Sequence, residues 1–280
     1  MINRHTGFSL IELVTVILVL GILSFVLADI LRGPMQSYIE MERRAQLVDI
    51  AETALLRMTR EIRLALPNSI RVVGTSIEFL RTVDGGRYRA KPPPANRRLV
   101  FNNGAQGTNG TFHVLGGFIN AGLITTSGGA ASEADCLNGT TDCMVVYNTG
   151  QPGADAYNGD NVAAIQNINT AVTPPELTFI RSTGFPIPSP LQRFHVVDTP
   201  VTFICNVGTG EIRRYDGYTI GMAVAGPGDL LVDQVSACSI NYDAGNASRA
   251  ALVTINLTIQ DTNLGQSISV MQQIHVSNVP

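Results

Sequence analysis

From Phe8 to Ala28 the chain is almost wholly apolar for 21 residues, and the only charged side chain in the run is Glu12. Such a run predicts a helix of about 31 Å at 1.5 Å per residue, close to the thickness of a bilayer's hydrocarbon core. A carboxylate at that depth is expensive to desolvate, so Glu12 calls for a charged partner or a function. Insertion alone gains nothing from it, so a simple anchor leaves it unexplained. A secretory signal has a shorter apolar core that ends in a small-residue cleavage site, whereas this run flows on into further helix-like sequence.

Charge orients the segment. The free amine and Arg4 precede the run and Asp29 follows it, which predicts a cytoplasmic amino end with residues 29–280 outside. With 280 residues, 45% of them hydrophobic and 15% charged, the remainder is large enough to bury a core. A net charge of −3 and a single lysine, Lys91, leave no broad basic patch, so nucleic acid is not an expected partner. All four cysteines lie beyond the apolar run. The short spacing from Cys136 to Cys143 suggests a local loop, which leaves Cys205 for Cys238; disulfides imply an oxidising compartment. Zinc is the alternative, but the sequence has no CxxC and no neighbouring histidine pair.

The stretch Gly7-Phe8-Ser9-Leu10-Ile11-Glu12-Leu13 resembles the prepilin signature of type IV pilins and type II secretion pseudopilins. A short basic leader ends in Gly, an aromatic residue follows, and Glu stands fifth in an unbroken apolar helix. The resemblance implies cleavage between Gly7 and Phe8 by a membrane-embedded prepilin peptidase and N-methylation of Phe8. Gly21 matches a glycine common in that helix. The new Phe8 amine and the Glu12 carboxylate of a neighbouring subunit could then neutralise each other in a staggered helix bundle. Each charge buried alone costs several kcal/mol, so such a pair sets register more than it adds stability. The carboxyl region, Arg193–Tyr218, Leu230–Asp243 and the closing QQIHVSNVP, is similar to large minor pilins related to the J-type pseudopilin. Within that group it is most like the O-type biogenesis class of mannose-sensitive haemagglutinin (MSHA) pili.

What the resemblance implies is a minor prepilin that primes or caps assembly of an MSHA-like type IV pilus, structural rather than catalytic. Its partners would be other minor and major pilins, the prepilin peptidase and the inner-membrane assembly platform. It would cross the inner membrane of a Gram-negative bacterium once, hold its body in the periplasm, and then enter the pilus. A J-type pseudopilin of type II secretion and a tip adhesin are the alternatives. The fold class expected is α+β and pilin-like: a long amino-terminal helix, apolar then amphipathic, packed on antiparallel sheet. The domains expected are leader 1–7, assembly helix 8–28, amphipathic continuation 29–66, and a β-rich body 67–280 with a loop-rich insertion at about 102–170.

The pattern supports those divisions. Val48, Ala51, Leu55, Met58, Ile62 and Ala65 recur at three- and four-residue steps, one apolar stripe. Pro67 should stop the helix, and Gly33-Pro34 should kink or locally open it. Strands are expected at 69–73, 76–81, 98–101, 177–180, 194–197, 201–207, 211–215 and 218–223. Asp84-Gly85-Gly86, Pro92-Pro93-Pro94, Gly208-Thr209-Gly210 and Asp216-Gly217 mark turns. Strict alternation over 252–259 and 268–276 predicts a closing hairpin with one buried face.

Other chemistries have thinner support. Asp155, Asn158, Asp160 and Asn161 set four oxygen side chains in seven residues, a calcium candidate without EF-hand spacing, and Asx residues serve turns as readily. No other cofactor is expected. His195 and Asp198 lie close in sequence, but no fixed nucleophile motif accompanies them. His113, His195 and His275 form no HExxH pattern, and Gly107–Gly110 lacks the Lys-Ser/Thr of a phosphate loop. Phe112, Phe118, Tyr147 and Tyr157 are the aromatics available for a sugar-binding platform. The cleavage reading makes a direct prediction: Gly7→Leu should leave the leader attached, and a chain of mature length by mass spectrometry would refute the site.

Overall fold

The computed structural model describes residues 9–89, 97–101, 109–245, 250–261 and 265–280. The protein is α+β, an amino-terminal helix followed by antiparallel sheets. It divides into two units, Met1–Asp49 and Ile50–Pro280.

Helix α1 spans Leu10–Ile62. It stays helical through Gly33 and Pro34, where a kink or a local opening was expected, so the helix does not open there. In the first unit, the span Leu10–Leu27 is long and apolar enough to cross a membrane, and none of it is buried by the protein. In the second unit, Ala51, Ala54, Leu55, Met58, Thr59 and Ile62 are buried while Glu52, Leu56, Arg57 and Arg60 are exposed. That is the three-and-four spacing of a single apolar stripe. The helix stops at Ile62, short of Pro67, because the next residues join a sheet. Leu66 N–H donates to the Leu80 carbonyl at 2.7 Å, and Thr82 N–H donates to the Leu64 carbonyl at 2.8 Å.

Nine strands form one antiparallel ladder: β1 (Arg71–Val73), β2 (Ser76–Tyr88), β3 (Asn109–Leu115), β4 (Cys143–Val146), β5 (Val162–Asn169), β6 (Glu176–Ile180), β7 (Arg193–Asn206), β8 (Glu211–Asp216) and β9 (Asp229–Val232). Their order is β1-β2-β3-β6-β5-β4-β7-β8-β9, and β2 pairs with β7 as well. That extra pairing closes a six-stranded barrel, β2-β3-β6-β5-β4-β7. All six strands send alternate residues into one interior: Tyr88, Phe112, Val114, Met144, Val146, Ala163, Ile165, Leu177, Phe179, Phe194 and Val196. Phe112 meets Phe194 edge-to-face, with ring centroids 5.3 Å apart.

The first half of β2 and second half of β7 continue past the barrel into an open sheet with β1, β8 and β9. A separate three-stranded sheet, β10 (Val235–Asp243), β11 (Ala251–Gln260) and β12 (Ser267–Val276), holds the expected closing hairpin. Val253, Ile255, Leu257, Ile259, Ile268, Ile274 and Val276 are its buried face. The Cys205–Cys238 disulfide ties this sheet to β7, and Cys136–Cys143 ties the short helix α2 (Glu133–Leu137) to β4.

Several expectations are corrected. Residues 109–169, expected as a loop-rich insertion, supply half of the barrel wall through β3, β4 and β5. Between those strands, α2 and a 3-10 turn at Ala156–Asn158 carry Cys136, Ala156 and Tyr157 into a second apolar cluster with Cys143, Val145, Val162, Ala164 and Val197. Asp84-Gly85-Gly86 is not a turn. Strand β2 continues through it after register shifts between Arg81 and Asp84, and glycine permits the close approach there: a Cβ at Gly86 would lie 2.8 Å from the Val114 side chain and 3.0 Å from the Phe194 ring. The two strands expected at 194–197 and 201–207 are one, β7. Residues 218–223 form no strand; Tyr218 instead turns its hydroxyl toward Thr202 and donates to Glu78 at 2.8 Å. Residues 98–101 make only a single bridge, Phe101 to Phe185. Pro92-Pro93-Pro94 lies outside the described residues.

The stripe gives a stability prediction. Leu55 is 2% exposed and Leu56 61% exposed, one residue apart on the same helix. Leu55→Ala should cost about 2–5 kcal/mol and Leu56→Ala less than about 0.5 kcal/mol, by urea unfolding of the detergent-solubilised chain. Equal losses would place the buried face elsewhere.

Candidate functional site

The apolar helix carries the first candidate. Ser9 opens α1, and its carbonyl accepts from the N–H groups of Glu12 at 3.0 Å and Leu13 at 3.1 Å. Glu12 therefore sits in the first turn, where unpaired amides and the helix dipole favour a negative charge. Thr15 Oγ1 donates to the Glu12 carbonyl at 3.0 Å, a bond that keeps this small polar side chain satisfied on an apolar surface. The Glu12 side chain is exposed, and among the described residues no cation pairs with it. Around it Leu10, Ile11, Leu13, Ile17 and Leu20 are all more than half exposed. A helix apolar on every side, with one carboxylate at its start, can satisfy both features only against apolar surroundings that also bring a cation. Gly7 and Phe8, the residues of the cleavage and methylation readings, lie outside the described residues.

The second unit carries a chain of charges. At the last turn of α1, Glu61 accepts from Arg214 Nε through both oxygens, at 2.9 and 2.8 Å, and Arg214 Nη1 also donates to Asp216 at 2.6 Å. Across the sheet, Arg81 grips Asp198 through Nε, at 3.1 Å to each oxygen, and through Nη2. Such two-point contacts fix orientation as well as charge. They raise the Arg81 pKa, chiefly through its bond to Asp198. Arg214 is raised also, its two carboxylate bonds outweighing burial. Asp198 is thus committed to Arg81 and is not free to orient His195 as a catalytic acid would.

Asp142 and His195 are the perturbed titrating groups nearby. Burial pushes the Asp142 carboxyl up to about 6, opposed by the Thr125 N–H bond at 3.0 Å; the charge of Asp198 raises it further and that of Arg81 lowers it. Burial, aided by the charge of Arg193, pulls the His195 imidazole down to about 4. His113 lies 3.4 Å from Glu176, on β3 of the barrel, and His275 is exposed on β12. No three histidine, cysteine or acidic groups among the described residues converge as a metal set.

The Asx cluster is a turn built from its own oxygens. Asp155 caps the 3-10 turn by accepting from Tyr157 N–H at 3.0 Å, and its other oxygen takes Asn158 at 3.2 Å and Arg71 at 3.3 Å. Asp160 accepts from Gly153 N–H at 3.0 Å, and Asn161 donates to the Val146 carbonyl at 3.0 Å. The Asp155 and Asp160 oxygens take separate donors rather than one centre, while Asn161 Oδ1 is buried with no hydrogen-bond partner among the described residues. The aromatics are equally occupied: Phe112 and Tyr157 are buried, and Phe118 and Tyr147 pack against the barrel core. No sugar-stacking platform stands at those positions. The reading of the sequence missed the Glu61–Arg214 and Arg81–Asp198 pairs; an acid in the last helical turn and acids and arginines on strands were the signal, but local periodicity does not say which elements are neighbours.

Asp142 and His195 oppose each other in their pH dependence. Asp142 titrates higher folded than unfolded, so its contribution is full below about pH 4 and lost as pH rises through about 6. His195 titrates lower folded than unfolded, so its contribution is full above about pH 6.5 and lost as pH falls toward about 4. Relative to the wild type, Asp142→Asn should gain stability as pH rises from 4 to 6, and His195→Gln should gain as pH falls from 6.5 to 4. Each change should be on the order of 1–3 kcal/mol, the lower figure where solvent screens the charge. Urea unfolding at four pH values checks both; curves parallel to the wild type would contradict the burial argument.

Comparison with protein-family models, with curated proteins and with solved structures returns no match to this chain.

Proposed function

We propose that the chain is a minor prepilin, a fibre subunit stored in a membrane by the same helix that later packs into the fibre. The observation that supports it is the apolar, unburied segment of α1 with Glu12 in its first turn. In the bilayer the segment needs only length and hydropathy. In a bundle of identical or related helices, Glu12 has a use: it accepts the cationic amine that cleavage after Gly7 creates on Phe8 of a neighbour. The pair forms only when the helices are staggered so that both charges meet, so it selects one register. The pilin-like expectation for the fold, a helix leading into antiparallel sheet, is compatible with this role.

The body then acts as a rigid head. Two disulfides suit an oxidising compartment such as the periplasm. The resemblance of the carboxyl region favours a priming or capping role in an MSHA-like type IV pilus over the J-type pseudopilin alternative, with other minor and major pilins, the prepilin peptidase and the inner-membrane platform as partners.

Glu12→Val is the test. Membrane insertion should be unchanged, since the substitution makes the segment more apolar, while recovery with sheared surface fibres should fall at least tenfold. Glu12→Asp, which keeps the charge on a shorter arm, should recover part of the loss. Wild-type recovery of Glu12→Val with fibres would overturn the pairing.

A further inference from the structure

The outer wall of the barrel carries a basic cleft where β2 ends and β7 begins. Residues alternate inside and out along both strands, so Gly86, Tyr88 and Phe194 belong to the interior, and Gly85, Arg87, Arg193 and His195 to the wall. Arg87 and Arg193 are direct cross-strand partners. Their Cβ atoms therefore lie about 5 Å apart on one face, an arrangement in which like charges destabilise the ladder. Among the described residues Arg57, Arg60, Arg63 and Arg98 also show no ion pair, but on or beside the strands Arg71, Arg81, Arg181, Arg213 and Arg214 each face an acid, as does Arg97. Neither Arg87 nor Arg193 does among the described residues. Arg87 Nε donates to the Leu191 carbonyl at 3.2 Å, which fixes the guanidinium and leaves its terminal amino groups without an acceptor among the described residues.

The surface here is shallowly indented and open to solvent. A depression of about 260 Å³ lies over Gly85, Arg87, Arg193 and His195, with parts of Gly86 and Phe194 also reaching its lining. Its floor depends on a missing side chain: a Cβ at Gly85 would lie 2.8 Å from the Phe194 carbonyl oxygen and 3.6 Å from His195 Nδ1. A second hollow of about 420 Å³ adjoins it through Arg87, at the barrel rim, where Leu115, Pro190 and Leu191 add apolar surface beside Gln192. Together they offer two guanidinium groups at one end and a mixed apolar and amide wall at the other. That combination suits a ring with one charged substituent better than a free ion, since a planar guanidinium recognises an oxyanion by paired hydrogen bonds while the apolar wall receives the ring's CH face.

We propose that this seam is a binding site for an acidic saccharide, with Arg87 and Arg193 holding a carboxylate or sulfate group and the rim hollow receiving the ring. The bound oxyanion also relieves the repulsion between the two arginines, so ligand should raise the melting temperature as any native-state ligand does. The inference stands apart from fibre assembly, because no part of the apolar helix enters it.

The test is a ligand-observed NMR titration of the full chain in detergent micelles at fixed ionic strength, so that general screening stays constant. The probes are glucuronic acid, glucose and inorganic sulfate. Glucuronic acid should bind, with glucose at least tenfold weaker. Arg87→Gln and Arg193→Gln should each weaken glucuronic acid at least tenfold, while Arg213→Gln, at a paired arginine elsewhere, leaves it unchanged. Arg193 makes no side-chain hydrogen bond among the described residues, so its variant reports on binding even if Arg87→Gln folds poorly. Absence of glucuronic acid binding, equal binding of glucose, or unchanged affinity in Arg193→Gln would each overturn the proposal. So would sulfate binding with no saccharide binding, which would leave an ion site only.

Discussion

The pairing of β2 with β7 is the contact on which the rest of the body depends. Each strand is long, 13 and 14 residues, and each serves two structures along its length. The Thr82–Tyr88 half of β2 and the Arg193–Val197 half of β7 close the barrel; the other halves begin the open sheet with β1, β8 and β9. Closing a ladder removes its edges, which are the usual liability of an exposed sheet. A side chain added at Gly85 would collide with the Phe194 carbonyl and one at Gly86 with the Val114 side chain, so two glycines that look like turn residues are there for close approach. Pro200, opposite Leu80, also sits inside a continuous strand.

That geometry explains what the sequence could and could not announce. The membrane-length helix, the stripe of Ala51, Leu55, Met58 and Ile62, and the closing hairpin were legible because each buries one face at a fixed period. Cysteine spacing pointed to the pairs that are present. The barrel was hidden for the opposite reason. Strand β4, Cys-Met-Val-Val, is buried on both faces and shows no alternation. Strands β3 and β5 lie among glycines and asparagines that compose the loops around them. Closure is a long-range fact, a second partner for β7, and no local pattern encodes it.

The same distinction separates the two candidate sites. Glu12 stands out in sequence because a carboxylate in an apolar run has few explanations. Arg87 and Arg193 stand 106 positions apart in the chain and look like ordinary strand-end charges; only the β2–β7 register sets them side by side. The acidic partners that occupy Arg81 and Arg214 show what a structural arginine looks like in this body, and the contrast gives the cleft its meaning. Likewise, Asp198 and the Asx cluster offered only thin catalytic and calcium readings in sequence, and in the fold the Asp198, Asp155 and Asp160 oxygens are engaged by Arg81 and by turn amides.

The central claim is that α1 leaves a membrane for a fibre after its leader is removed. Mass spectrometry of surface fibres sheared from cells and freed of membrane tests it most directly. The account predicts this chain in the sheared fraction, at far below the level of the major subunit, with a methylated Phe8 as its first residue. Recovery of the chain in the membrane fraction alone, with residues 1–7 still attached, would contradict it.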